Sequence, residues 1–156
     1  MTPAINILRK KKIPYKIHEY DHDPASSSYG MEAAEKLGVK EQRVFKTLVV
    51  GLGDGGDMAV GIIPVACKLN LKQMAKAAGA KKAFMAPRQD VERATGYILG
   101  GVSPLGQKRR LKMYLDSSAK NFPTIFISGG RRGLDVELAP TDLASVTGAL
   151  FSELCR

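Results

Sequence analysis

Lys46 interrupts an apolar stripe. The stretch Arg43–Val50, RVFKTLVV, is made largely of strand formers. Side chains on a strand alternate between faces, which groups Val44, Lys46, Leu48 and Val50 together. An ammonium group buried without a partner is costly and surrenders its proton more readily. Two readings fit: the face is half buried and the lysine head reaches the sheet edge, or a cation is mounted on a rigid strand to bind an anion or polarise a carbonyl.

Three further stretches carry groups that could act on a ligand. Gly100-Gly101-Val102-Ser103-Pro104 contains paired glycines, which let backbone N–H groups come close to a bound group and form an anion-binding nest. It is neither a phosphate-binding P-loop nor a dinucleotide fingerprint. Ser128-Gly129-Gly130-Arg131-Arg132-Gly133 reads as a hairpin turn with solvated arginines. Alternatively, Arg131 and Arg132 reach a phosphate backbone while Ser128 and Asp135 line a pocket at the hairpin base. The basic run Lys108-Arg109-Arg110 follows the glycine loop and could hold phosphates near it. Asp21, His22 and Asp23 invite an acid–base or metal role. Adjacent side chains cannot all converge from an extended chain, however, so a turn held by local Asx bonds is the simpler reading.

Several chemistries lack their residues. There is no G-x-S-x-G elbow and no evident Cys-His pair, so a covalent nucleophile of the protein's own is poorly supported. Cys67 and Cys155 are widely spaced, only His18 and His22 accompany them, and no zinc-like spacing occurs. Neither a metal nor a cofactor is implied.

The chain has 156 residues, with 24 basic and 15 acidic side chains and a net charge of +9. That balance favours a polyanionic partner such as nucleic acid. Aromatic residues make up only 6% and Trp is absent, so phosphate contacts rather than base stacking would dominate. No apolar run approaches the roughly 20 residues of a membrane span. The N-terminus has the reverse order of a secretory signal, so a cytoplasmic protein without a membrane partner is expected.

The elements that must position these groups are short. Thr2-Pro3 predicts a helix start, with a helix to about Lys11. Residues 15–20 alternate, and 31–38 read as a helix closed by Gly38. Strands are expected at 43–50 and 58–66, as a hairpin, followed by a helix over 71–78 capped by Asn70. A strand at 82–86, a helix over 87–95 and an irregular loop at 95–106 follow. Residues 111–115 alternate, 124–138 form a second hairpin, and Thr141 caps a last helix to about Ala149. Interspersed short strands and helices predict an α+β fold in one domain, residues 1–156, rather than a regular βαβ series.

Taken together, Lys46-Thr47-Leu48, Gly96-Tyr97, the run from Gly100 through Lys108 and the run from Ser128 through Leu134 resemble the YbaK family. MTPA at the start and YDHDP at 20–24 belong to the same resemblance, which covers nearly the whole chain in order. These proteins are free-standing relatives of the editing domain of bacterial prolyl-tRNA synthetase. The resemblance implies a mixed, barrel-like β-sheet wrapped by helices. It also implies a trans-editing deacylase acting on Cys-tRNA(Pro), with prolyl-tRNA synthetase as partner. The family's lysine falls on Lys46, as the catalytic group. Tyr20, Tyr29, Thr47, Ser128, Gly129 and Asp135 fall on substrate positions, together with Gly100, Gly101, Ser103 and Pro104 of the glycine loop. Tyr29 stands where relatives more often carry Phe, and Met31 where an acidic residue is usual. In this family the cysteine thiol of the substrate is thought to attack its own ester. A deacylase for alanine or serine, and a basic RNA-binding module without catalysis, remain open alternatives.

Overall fold

The structure, a computed structural model, describes residues 1–26 and 28–156. The chain runs α1 (Pro3–Lys10), β1 (Lys16–Glu19), α2 (Tyr29–Leu37), β2 (Phe45–Leu52), β3 (Asp57–Pro64), α3 (Leu71–Ala77) and β4 (Ala83–Met85). It continues through α4 (Arg88–Thr95), β5 (Lys112–Asp116), β6 (Ile125–Arg131), β7 (Leu134–Leu138), α5 (Pro140–Thr147) and β8 (Leu150–Ser152).

Local chemistry sets the helix ends. Thr2 caps α1, its Oγ1 accepting the Ile5 N–H at 3.3 Å, and Pro3 supplies the first residue. Asn70 caps α3 by accepting the N–H groups of Lys72 and Gln73, each at 3.1 Å. Gly38 closes α2 in the left-handed conformation. The last helix starts two residues earlier than expected, at Pro140, with Ala139 rather than Thr141 at its cap.

The strands form two sheets. One has the order β1-β7-β6 and the other β4-β2-β3-β5-β8. The β2–β3 and β6–β7 hairpins are the expected ones. The parallel pairs β3–β5 and β5–β8 are not visible in local sequence, and β8 was not expected at all. The barrel-like sheet implied by the resemblance is corrected here: neither sheet closes. Among the described residues their backbones pair at one isolated bridge, Val44 with Phe126. Arg43 clamps that point, donating from Nη2 to the Thr124 carbonyl at 3.0 Å and to Thr124 Oγ1 at 2.6 Å. Its guanidinium also lies 5.2 Å from the Phe126 ring centroid.

Alternation along β2 divides the apolar interior. Phe45 and Val49 pack with Val60 and Ile62 of β3, Ile125 and Ile127 of β6, and Ile5 and Leu8 of α1. Val50 faces the other way, with Ala59, Ile63 and Met74. Val44, Val65 and Phe126 bury Ala33 and Ala34 of α2. No helix among the described residues is long and apolar enough to cross a membrane.

The N-terminus of α1 wedges against both glycine-rich segments. Thr2 Oγ1 donates to the Gly129 carbonyl at 2.5 Å. A Cβ at Gly106 would lie 2.7 Å from the Pro3 carbonyl carbon, and Gly106 has φ +68°. Gly106→Ala is therefore expected to lower stability by more than about 2 kcal/mol, through backbone strain and a clash that only moving α1 relieves. Gly55→Ala, in a turn with open space around the added methyl, is expected to be neutral or stabilising by up to roughly 1 kcal/mol. Denaturant unfolding of the two variants beside the wild type checks both.

Candidate active site

Strand β3 pairs with β2 along its whole length. On the other edge, β4 covers only Val50–Leu52, and Val44 touches Phe126. Between those points a cavity of about 340 Å³ opens beside β2. Val44, Phe45, Lys46, Thr47 and Leu48 all line it. Five consecutive residues that alternate between two faces line one cavity, as an open strand edge allows. Lys46 thus sits at the open edge of its strand, within an otherwise apolar stripe. Tyr29 and Met31 at the start of α2, Ser128 of β6, Asp135 of β7 and Leu99–Gly100 form the other walls.

Lys46 Nζ donates to the Val65 carbonyl at 3.2 Å. Burial holds its pKa below the ordinary lysine value. Asp135 is 6% exposed, and burial pushes its carboxyl up to about 7. Burial, and then the Asp135 charge, pushes the Tyr20 phenol to about 12, so it stays protonated. The buried Thr47 Oγ1 has no hydrogen-bond partner among the described residues. The cleft thus combines a cation, a carboxyl that titrates near neutrality and an orphaned hydroxyl. Such a set can stabilise developing negative charge and move a proton.

The structure brings Tyr20, Tyr29, Lys46, Thr47, Gly100, Ser128, Asp135, Arg131 and Arg132 to this one cavity. Gly101, Ser103, Pro104 and Gly129 stand outside its lining. Gly101 donates its N–H to the Ile98 carbonyl at 2.9 Å. Ser103 is fully buried, and its Oγ accepts the Leu105 N–H at 3.2 Å. These residues brace the loop, leaving Gly100 and Val102 as its cavity-lining members. Tyr97 helps, donating its hydroxyl to the Leu105 carbonyl at 2.6 Å. Lys108, Arg109 and Arg110 are exposed, and Arg109 lines a separate cavity with Gly51 of β2. Gly51 lies five residues from Lys46, roughly 16 Å along the strand.

Arg131 makes an exposed pair with Glu19 at 3.4 Å. Arg132 is held differently, against Tyr29 and His22. Asp23 does form the local turn, its Oδ1 accepting the Ala25 N–H at 2.9 Å. His22 instead bonds Glu32 Oε1 at 2.7 Å. Sequence reasoning missed Glu32, because nothing local distinguishes it from the other helix-face acids. It also gave no site role to Phe45, Val65, Leu48 and Val102, although the last two stand inside the motifs that it singled out.

Ionising Asp135 works against folding. Between the ordinary carboxylate range and about 7 the folded chain keeps a proton that the unfolded chain has lost, so stability falls as pH rises through that window. Asp135→Asn is expected to raise Tm by roughly 5 °C near pH 8.5 and by less than half as much near pH 5. Thermal unfolding at the two pH values checks this.

Residues 23–146 match the family model for the aminoacyl-tRNA editing domain. A protein of Enterococcus faecalis named "Putative Cys-tRNA(Pro)/Cys-tRNA(Cys) deacylase EbsC" is 40% identical, over 98% of this chain and 92% of its own length. A solved structure described as "a putative trans-editing enzyme for prolyl tRNA synthetase" is 25% identical. It superposes with a TM-score of 0.82 over 100% of this chain and 99% of that one. The crystal structure of the "hypothetical protein APE2540", also 25% identical, gives a TM-score of 0.88 over 99% and 100% of the two chains. The family match runs through every wall of the cleft except Tyr20 and agrees with a near-full-length relative, so this chain belongs to the aminoacyl-tRNA editing domain family.

Proposed function

We propose that this chain is a trans-editing deacylase that hydrolyses the ester joining cysteine to the 3′ end of tRNA(Pro), acting with prolyl-tRNA synthetase. One observation carries the reading. The cleft holds a strand-mounted cation and a near-neutral carboxyl, yet no hydroxyl that lines it is hydrogen-bonded to a histidine, lysine or carboxylate among the described residues. A serine or threonine nucleophile is activated by a base within hydrogen-bond reach, whether imidazole, amine or carboxylate. A cysteinyl substrate brings its own nucleophile. The names of the Enterococcus relative and of the trans-editing structure support the same substrate class.

In this reading the substrate sulfur attacks the ester carbonyl carbon. The bond from that carbon to the 3′ oxygen breaks, and the thiol proton passes to the leaving oxygen. Asp135, titrating near neutrality, takes the proton and returns it. The products are free tRNA and a four-membered cyclic thioester, which water opens to cysteine. Lys46 stabilises the charge on the attacked oxygen, together with the N–H groups of Gly100 and Val102. Thr47 and Ser128 hydrogen-bond the aminoacyl–ribose end, and Tyr20 and Tyr29 wall it. Gly101, Ser103, Pro104 and Gly129 hold the loops that carry these groups. Cysteine and proline are too close in size for one pocket to separate strongly, which is why a second sieve is needed.

Release of amino acid from Cys-, Ala- and Ser-tRNA(Pro) tests the reading. Rapid loss of cysteine alone is expected. Lys46→Ala should lower kcat by about 10²–10³ while tRNA affinity changes little. Alanine or serine released as fast as cysteine would overturn thiol assistance. Binding of tRNA without release of any of the three would overturn the enzyme.

A further inference from the structure

A chain of polar contacts runs from the interior of α2 to the mouth of the cleft. Glu32 is 7% exposed. Its Oε2 accepts the Asp23 backbone N–H at 2.8 Å, and its Oε1 bonds His22 Nδ1 at 2.7 Å. Burial opposes its charge, but the bonds from His22 and Asp23 hold its carboxyl below the ordinary value. An ionised carboxylate only accepts, so the imidazole must carry its proton on Nδ1. Nε2 of the ring faces Arg132 Nη1 at 3.4 Å and, since a guanidinium only donates, is the acceptor of that contact.

Arg132 is thereby laid across Tyr29. Its guanidinium carbon is 3.8 Å from the ring centroid, and Nη2 donates to the phenol oxygen. Nη2 also reaches the Leu99 carbonyl at 3.5 Å. The fit depends on Gly100, where a Cβ would lie 2.6 Å from Arg132 Nε and 2.8 Å from the Tyr29 ring. Three of the five guanidinium N–H donors are engaged by these contacts.

We propose that Glu32 and His22 are positioning residues that fix Arg132 over Tyr29 as the receptor for a phosphate of the substrate's 3′-terminal nucleotide. The proposal rests on the reading of this cleft as the site of the aminoacyl ester. That ester sits on the ribose of a nucleotide, so a phosphate must lie within one sugar's length of the reacting carbonyl. Arg132 is the cavity-lining cation held by a buried carboxylate through a tautomer-specific ring; Arg131 is paired only at the surface, with Glu19. Planar guanidinium donors suit phosphate oxygens. Glu32→Gln keeps the shape of the side chain but removes its charge. Its amide can then donate to Nδ1, which turns an N–H of the ring toward Arg132 and displaces it.

Adenosine and adenosine 5′-monophosphate differ only in the phosphate, and calorimetric titration of both into the intact protein tests the proposal. Wild type should bind the monophosphate about tenfold more tightly. Arg132→Ala should erase that preference, and Glu32→Gln and His22→Ala should each reduce it severalfold while the variants remain folded by circular dichroism. With Cys-tRNA(Pro), the same variants should raise KM far more than they lower kcat. Equal binding of the two ligands by wild type would overturn the phosphate role, even if deacylation is intact. Lower Tm with an unchanged monophosphate preference in Glu32→Gln and His22→Ala would reduce the pair to a structural contact. Failure of wild type to release cysteine, with the preference present, would instead remove the proposed deacylase.

Discussion

A strand that must expose one edge is the constraint on which this molecule is built. Strand β2 is paired along its full length by β3, but on its other side only at its far end. An uncovered edge leaves backbone groups open to solvent or to another chain, and folded proteins ordinarily pair, shorten or cover it. Here the gap is walled rather than filled. The three-stranded sheet is bridged to the chain at Val44–Phe126, just before β2, and beyond that meets β2 only through packed side chains among the described residues, while α2 and the glycine loop close the sides. The cleft is what remains where the two sheets fail to merge, and Arg43 holds the hinge point by binding Thr124 and covering Phe126.

The same geometry explains the electrostatics. At a strand edge, a side chain from either face can turn into the gap, so Lys46 and Thr47 enter it together. Lys46 keeps one hydrogen bond, to the Val65 carbonyl, and is only half buried, which limits the cost of its charge. Asp135, from the second sheet, is far more enclosed, and its proton is held to about neutrality. Two groups of opposite preference therefore face one volume without pairing off in a salt bridge among the described residues. A site for ester cleavage needs that arrangement, since a cation already neutralised by a carboxylate would have little field left for a developing oxyanion.

Close backbone approach makes the walls rigid. The start of α1 lies against Gly106 and reaches Gly129 through Thr2, while Tyr97 ties the loop to itself. The 97–107 loop has irregular backbone but is held at several points. Its glycines are spaced by contacts, with Pro3 on one side and the Arg132–Tyr29 stack on the other.

Much of this was legible in the sequence. Alternation and propensity are local properties, so the β2–β3 and β6–β7 hairpins, the Thr2 and Asn70 caps and the Gly38 stop could be read within a residue or two. The anomaly of Lys46 in RVFKTLVV, and the motifs of the family resemblance, pointed to the cleft before any geometry. Pairings between distant segments could not be read: the parallel β3–β5–β8 ladder, and the lack of further pairing between the two sheets beyond the Val44–Phe126 bridge among the described residues, depend on segments far apart in the chain. Nor could partners be told apart by type. Ser103 and Ser128 look equally polar, yet one is locked in the core and the other lines the cavity; Arg131 and Arg132 are neighbours, yet only one rests on Tyr29. Sequence alone therefore determined most of the elements, though not β8 or the start of α5, together with the fold class and the place of the lysine, because those follow from short-range periodicity and residue chemistry. Tertiary structure decided which side chains share one volume, because burial, pKa and hydrogen-bond partners are set by residues brought together from opposite ends of the chain.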